Sequence, residues 1–436
     1  MKRVFLPLSL LIIALWAMDQ PAAVLSFSAP FLQMRKALVL LSGALALGWM
    51  SYSMLLALRP RWLEHWLGGL DKLFAEHKWA GIGSVLWVVL HWLIELSPRT
   101  LVAWGWVTLP PRAPHGARPP LDWWIALARQ IAEPAAWLMI ALGIVALLRF
   151  VPYSWFRKLH KAFPIAFLMG AYHSVLIFPD GAFSSALGVA TLGLSVFGSV
   201  VALMSLASLI GRRRRIAGRV SAVAELASGV IDLRITPTGI WPGHRAGQFV
   251  LLTLDRREGP HPFSLASDWQ VGADLHFTIK PLGDYTRSLA ARVKSGDLAR
   301  IEGPYGGFDF GADDEPQLWI AGGIGLAPFL ARLDALAQRG GARQPIVLFY
   351  SVRDEREATF PADLPERCAR AGVTLQMRVE SRDGRFAPNE IGQRLEAKTS
   401  VWFCGPAAWG RGLRKVLQGQ YGLGRQHFHQ EIFQFR

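Results

Sequence analysis

Apolar residues in the first half of the chain gather into long runs, while those in the second half come in short blocks separated by turn residues. A run of about twenty residues spans the hydrocarbon core of a bilayer. Six such stretches, near Val4–Ala17, Ala37–Leu58, Trp79–Leu96, Ile131–Phe150, Phe163–Phe178 and Ser185–Ile210, predict a six-helix transmembrane α-bundle. The first is short and follows Met1-Lys2-Arg3, as a signal peptide would. No small-x-small cleavage site follows it, so a retained helix is expected.

Basic residues orient the bundle. Lys2, Arg3, Arg59, Arg61, Lys72, Arg157, Lys158, Lys161 and the run Arg212-Arg213-Arg214-Arg215 fall on one side; Arg35, Lys36, Arg99, Arg112 and Arg118 fall on the other. The excess assigns the first side to the cytoplasm. The arginine run reads by itself as a stop-transfer signal.

From Ser221 to about Phe310 the apolar residues alternate, as in an antiparallel β-barrel. Buried-strand runs then follow at Leu318–Ala321, Ile346–Tyr350, Thr374–Val379 and Ser400–Phe403, interleaved with helical stretches. That order predicts a doubly wound α/β domain. The expected division is a membrane domain over 1–215, a barrel over 216–312 and an α/β domain over 313–436.

The net charge of +15 would suggest nucleic acid in a soluble protein. Here many of the basic residues flank membrane segments, so no nucleic-acid partner is expected. Two cysteines, Cys368 and Cys404, make neither a disulfide framework nor a thiolate metal site. Arginine outnumbers lysine and no Asn-x-Ser/Thr acceptor occurs, which points to a bacterial inner membrane, with the soluble half in the cytoplasm.

Four histidines stand in or beside the third and fifth apolar stretches. His77 and His91 are fourteen positions apart, and His160 and His173 are thirteen apart. Ionisable groups in a membrane are costly and usually mark a functional path. Along a helix these spacings separate two imidazoles by roughly 20 Å, enough for two stacked sites. Fourteen residues return to the same helix face; thirteen fit less well, although Pro164 lies between and can bend the helix. Paired across helices, His77 with His160 and His91 with His173 would hold two bis-histidine b-type haems. Phe163 and Phe167 lie between the two levels, as gap-fillers or as ordinary packing.

The soluble half carries three further strings in order: His261-Pro262-Phe263-Ser264-Leu265-Ala266-Ser267, Lys280-Pro281-Leu282-Gly283-Asp284-Tyr285-Thr286 and Gly303-Pro304-Tyr305-Gly306. Together they resemble the flavin-binding barrel of the ferredoxin–NADP reductase family. The resemblance implies FAD, with Ser264 near the flavin N5 and His261 near the pyrophosphate. It also implies Lys280, Gly283 and Thr286 near the phosphates or ribityl chain. Gly322-Gly323-Ile324-Gly325-Leu326-Ala327-Pro328 then makes a glycine turn between strand and helix, suited to a pyrophosphate. In the same family Cys404-Gly405-Pro406 would lie beside the nicotinamide ring. Ser381 and Arg382, with Arg353, resemble a grip on the 2′-phosphate of NADPH, with NADH as the alternative. Phe433, in the tail His427-Phe428-His429-Gln430-Glu431-Ile432-Phe433, would by that match stack on the isoalloxazine.

Histidine-paired helices fused to such a module resemble the ferric reductase and NADPH oxidase superfamily. One departure is Glu95, four residues beyond His91, where the superoxide-producing animal oxidases carry another histidine. A carboxylate there would attract a cationic acceptor, or be a hydrated helix end. The resemblance implies electrons passing from NADPH through FAD and two haems to an acceptor on the far side. That acceptor is a ferric or other metal chelate, dioxygen, or a periplasmic partner protein.

Overall fold

A computed structural model describes residues 2–108, 122–148, 150–179, 182–226, 228–311, 314–358 and 360–431. It separates into two compact units, one of Met1–Leu63 with Leu73–Ile210 and one of Glu64–Lys72 with Gly211–Arg436.

The principal helices of the first unit are α1 (Lys2–Met18), α2 (Phe31–Ala57), α3 (Leu70–Ala103), α4 (Trp123–Gln130), α5 (Ala132–Leu147), α6 (Tyr153–His160), α7 (Phe163–Leu176) and α8 (Ala186–Leu206). Each of the six predicted apolar stretches is helical, but among the described residues four helical spans are long and apolar enough to cross a membrane: α2, α3, α4 with α5, and α8. The 17 residues of α1 and 14 residues of α7 fall short of that length. At about 1.5 Å per residue a fourteen-residue helix covers roughly two thirds of a 30 Å hydrocarbon core.

Small residues bring the helices into close contact. A Cβ added to Gly83 of α3 would meet the Trp49 ring at 1.9 Å, and one on Gly198 of α8 would meet the Phe167 ring at 2.1 Å. Phe167 is fully buried and packs with Met50, Met54 and Val201, so it serves the helix core. Other faces present Leu86, Leu90, Leu93, Val196, Val200 and Leu203 outward, as lipid-facing helices do.

α6 and α7 are separate helices, and His160 is the last residue of the first. The reason is local. Pro164 has no N–H to donate to the His160 carbonyl four residues back, so the helix is interrupted at Lys161 and Ala162. The thirteen-residue spacing is therefore not a spacing along one ideal helix.

The second unit holds two sheets. Strands β1 (Arg215–Glu225), β2 (Ile231–Pro237), β3 (Phe249–Thr253), β4 (His261–Ser264), β5 (Leu275–Ile279) and β6 (Leu298–Tyr305) form an antiparallel sheet in the order β4-β3-β6-β1-β2-β5. Its two edges approach each other, with the Ala266 N–H donating to the His276 carbonyl at 2.9 Å, which gives a barrel-like closure. Val220, Leu233, Ile235, Leu252, Phe277 and Ile301 fill it.

Strands β7 (Gln317–Gly322), β8 (Ile346–Val352), β9 (Thr374–Val379), β10 (Ser400–Cys404) and β11 (Phe428–Glu431) form a parallel sheet in the order β11-β10-β7-β8-β9. Helix α9 (Ala327–Gln338) covers one face through Phe329, Leu330 and Leu333. Helix α10 (Ala407–Gln420) covers the other through Trp409, Leu413 and Leu417. Burial on both faces explains why β7 and β10 are nearly continuous apolar runs rather than alternating ones.

Candidate functional site

The chain leaves β7 for β8 on one side and later returns as β10 on the other, so the sheet order reverses between β7 and β10. Ligands of open α/β sheets bind in the crevice beyond the strand ends at such a point. Both ends there are glycine turns. A Cβ on Gly325 would stand 2.2 Å from the Cys404 carbonyl oxygen, and one on Gly322 would stand 2.8 Å from Pro406. A Cβ on Gly405 would stand 3.2 Å from the Gly322 amide nitrogen. Gly323 has φ +53°, which suits glycine. Pro328 occupies the first turn of α9, where its missing N–H costs nothing.

Cys404 is buried at the end of β10, between Ala321 on β7 and Glu431 on β11. Burial, reinforced by the neighbouring Glu431 carboxylate, pushes its thiol well above the ordinary range. Burial likewise raises the Glu431 carboxyl, with Asp71 adding to it.

On the barrel, the half-buried β4 sets Ser264 opposite Phe249 and His261 opposite Leu252. The His261 ring stacks on Tyr285, centroids 4.1 Å apart and nearly parallel at 11°. Phe263 packs against the barrel core, and Pro262 lies beside it in the strand. Thr286 Oγ1 accepts from the Leu282 and Gly283 amides, both at 3.0 Å, and ties the turn after β5. Gly303 lies near the end of β6 with φ +157°, and a Cβ there would stand 3.4 Å from the Phe249 carbonyl oxygen. Lys280 reaches across to Glu357, whose other oxygen accepts from the Arg353 N–H at 3.1 Å. A Cβ on Gly323 would stand 3.9 Å from Lys280 Nζ, so this pair borders the glycine turn.

Ser381 follows β9 and donates its N–H to the Arg353 carbonyl at 3.1 Å, joining the ends of β8 and β9. Arg382 is exposed and bonded to both oxygens of Asp383 and to Glu355 at 2.8 Å. Phe433 lies outside the described residues.

In the membrane unit the His77 and His160 rings come together, centroids 5.9 Å apart. His91 and His173 are near enough to interact electrostatically. His77 Nδ1 stands 3.0 Å from the Ser53 carbonyl, His91 Nδ1 3.1 Å from that of Val39, and His173 Nδ1 3.0 Å from that of Ala128. A carbonyl only accepts, so each Nδ1 carries the proton and each Nε2 keeps a lone pair. His160 Nδ1 is buried with no hydrogen-bond partner among the described residues. A Cβ on Gly43 would come within 3.2 Å of the His91 ring. Glu95 forms an ion pair with Arg35 at 2.6 Å, so it is not a lone carboxylate.

Residues 42–171 match the family described as "Ferric reductase like transmembrane component". The range includes His77, His91 and His160 and stops just before His173. Over 225 residues the chain is 27% identical to the toluate 1,2-dioxygenase electron transfer component of Pseudomonas putida, covering 49% of this chain and 66% of that protein. It is 33% identical over 163 residues to reductase component 1 of the terephthalate 1,2-dioxygenase of Comamonas sp, covering 34% and 48%. The chain thus spans between about half and two thirds of the length of these relatives. The flavohemoglobin structure from Malassezia yamatoensis, with bound FAD and heme, aligns at 20% identity and TM-score 0.47, over 70% of this chain and 87% of that one.

The chain carries a region like a ferric-reductase transmembrane component and is similar to electron-transfer and reductase components of bacterial dioxygenases.

Several features of this reductase module and membrane component were not visible as motifs. The carbonyls of Ser53, Val39 and Ala128 orient histidines, but every residue has a carbonyl, so no sequence signal marks them. Glu357 and Tyr285 likewise matter through neighbours far along the chain. Tyr285 and Glu431 carried a hint, since each stands in a quoted string, Glu431 two residues before Phe433.

Proposed function

We propose that the protein carries electrons across a membrane, from cytoplasmic NADPH through FAD and two b-type haems to an acceptor on the other side. The observation that carries this reading is the pairing of four membrane histidines, three with Nδ1 held by a carbonyl. Such bonds fix the tautomer and leave Nε2 for a metal. The His77 and His160 rings come together, centroids 5.9 Å apart, so both would be available to hold one haem iron. His77 with His160 and His91 with His173 would hold the two haems, in a bundle we read as six helices.

Bound flavin and haem would supply the redox chemistry, taking a hydride from the nicotinamide and releasing single electrons. The protein's own part is positional. Gly322, Gly323 and Gly325 leave room for a pyrophosphate at the β7 turn. Cys404, Gly405 and Pro406 wall the crevice beside it, and the neutral Cys404 thiol adds no charge there. Ser264 and His261 would lie on the flavin side, with Lys280, Gly283, Thr286 and Gly303 around the phosphates. Arg382, Ser381 and Arg353 would take the 2′-phosphate. NADH is the alternative donor.

A ferric or other metal chelate is the acceptor we favour, because Arg35 and Glu95 offer both charges near His91 and many chelates are anionic. Superoxide formation from dioxygen and electron supply to a periplasmic partner are the alternatives. The deciding experiment is a dithionite-reduced minus oxidised spectrum of the purified protein, with haem and flavin quantified per chain. Two b-type haems and one FAD are expected, and a preparation with flavin but no haem absorbance overturns the proposal. Chelate reduction insensitive to superoxide dismutase then selects the first acceptor, and dismutase-sensitive cytochrome c reduction the second.

A further inference from the structure

We infer that Glu64, a residue of the segment between two membrane helices, is a positioning residue of the flavin turn Gly303–Gly306. The inference rests on the flavin reading above for its ligand, but its geometry stands independently.

Glu64–Lys72 folds with the reductase unit although it precedes Gly211 by well over a hundred residues. The Glu64 side chain is 12% exposed, and its carboxylate uses both oxygens. Oε2 accepts from Arg214 Nη1 at 3.0 Å, and Oε1 accepts from the Gly306 N–H at 3.1 Å. The backbones also meet closely, since a Cβ on Gly307 would stand 3.3 Å from the Gly68 carbonyl oxygen.

Gly306 has φ +106°, and a Cβ there would lie 3.2 Å from the Phe249 ring and 3.1 Å from Glu431 Oε1. The turn is therefore enclosed, and Glu64 is the acceptor that satisfies its amide. From Glu64 the contacts continue through the turn. The Arg214 guanidinium lies over the buried Tyr305 ring at 4.8 Å, and Tyr305 donates its hydroxyl proton to Glu302 at 2.8 Å. Glu302 is held in turn by two Arg215 nitrogens, at 3.2 and 3.0 Å. Two carboxylates balance two guanidiniums. Loss of Glu64 strands a buried amide and a nearly buried guanidinium on either side of Tyr305, and a buried group left without its partner costs more than the bond itself contributed. Half of the arginine run thus serves the reductase fold rather than lipid alone.

The test uses the detergent-solubilised full chain, depleted of flavin and titrated with FAD by fluorescence quenching. Glu64→Ala should weaken FAD binding tenfold or more. Glu64→Gln keeps an acceptor for Gly306 but leaves Arg214 unbalanced, so it should lose less, and Glu64→Gln with Arg214→Gln should regain most of the loss. His65→Ala, exposed on the same segment, should bind as wild type. Hydrogen exchange of the peptide containing Gly306 is the second readout, and it should quicken at least tenfold in Glu64→Ala with or without flavin. Wild-type FAD affinity and unchanged exchange in both Glu64 variants overturn the inference. If Glu64→Ala does not fold, Glu64→Gln and its double variant decide by the same two readouts. If the wild-type chain takes up no FAD but Glu64→Ala still loosens the turn, the flavin reading has failed and the clamp has not.

Discussion

The Gly325 Cα faces the Cys404 carbonyl so closely that an added Cβ would stand 2.2 Å from the oxygen. The turns that end β7 and β10 therefore touch backbone to backbone at the point where the sheet order reverses. Gly325→Ala must push these turns apart, an overpacking that typically costs about 1–3 kcal/mol. NADPH affinity, measured by equilibrium titration, should fall tenfold or more while flavin content stays unchanged. An affinity within twofold of wild type would show that the crevice tolerates the shift and does not hold the nucleotide.

The paired histidines separate two optical signals. His77→Ala should remove one b-type haem, and His173→Ala the other, each leaving about half of the reduced-minus-oxidised amplitude. FAD content should be unaffected in both. Two full haems in either variant would remove that histidine from the ligand set.

Arg382 makes three hydrogen bonds to two carboxylates, yet its side chain is 65% exposed. Surface ion pairs of this kind contribute little, so a doubly charged phosphate can displace Asp383 and Glu355. Arg382→Ala should raise KM for NADPH about tenfold and leave KM for NADH within twofold. Equal losses with both nucleotides would assign the arginine to a part they share.

His429 supplies a pH dependence. Its ring stacks on Trp402 at 3.8 Å, and burial, helped by nearby Lys72 and His427 and opposed by Asp309, pushes its pKa down to about 4. The unfolded chain takes up this proton near the ordinary 6.5, while the folded chain resists it until about 4. Stability is thus complete above pH 6.5 and declines as the pH is lowered toward 4. The raised Glu431 carboxyl works in the opposite sense, since the folded form binds its proton first. Comparing wild type with His429→Gln cancels that contribution. The thermal midpoint of wild type should fall more steeply between pH 6.5 and 4.5 than that of the variant, and parallel curves would rule out the histidine.

Much of this was legible in the residue pattern because period and composition report burial directly. The apolar runs located every membrane-unit helix that they predicted, and the continuous strands of Leu318–Ala321 and Ser400–Phe403 marked a sheet covered on both sides. Helix length was less legible. The stretch from Phe163 to Phe178 reads as one span, but its helix ends at Leu176, and Pro164 detaches it from His160. A proline four residues beyond a proposed ligand was the available signal, and bending was read where interruption occurs. Contacts between distant segments were not legible. Lys280 was read as a flavin-phosphate contact and Glu95 as a cation-attracting carboxylate or hydrated helix end, because neither Glu357 nor Arg35 is near them in sequence.

The segment Glu64–Lys72 has a consequence for how the chain is made. It leaves the ribosome long before Arg214 and Gly306 exist, so its carboxylate waits until about two thirds of the protein has been synthesised. The reductase is in that sense a discontinuous body, completed only when the turn after β6 returns to a loop laid down near the beginning. A fusion or exchange of modules made at Ile210/Gly211 would follow the apparent seam and still cut through the structure, since each new reductase would inherit a loop from a bundle it had never folded with.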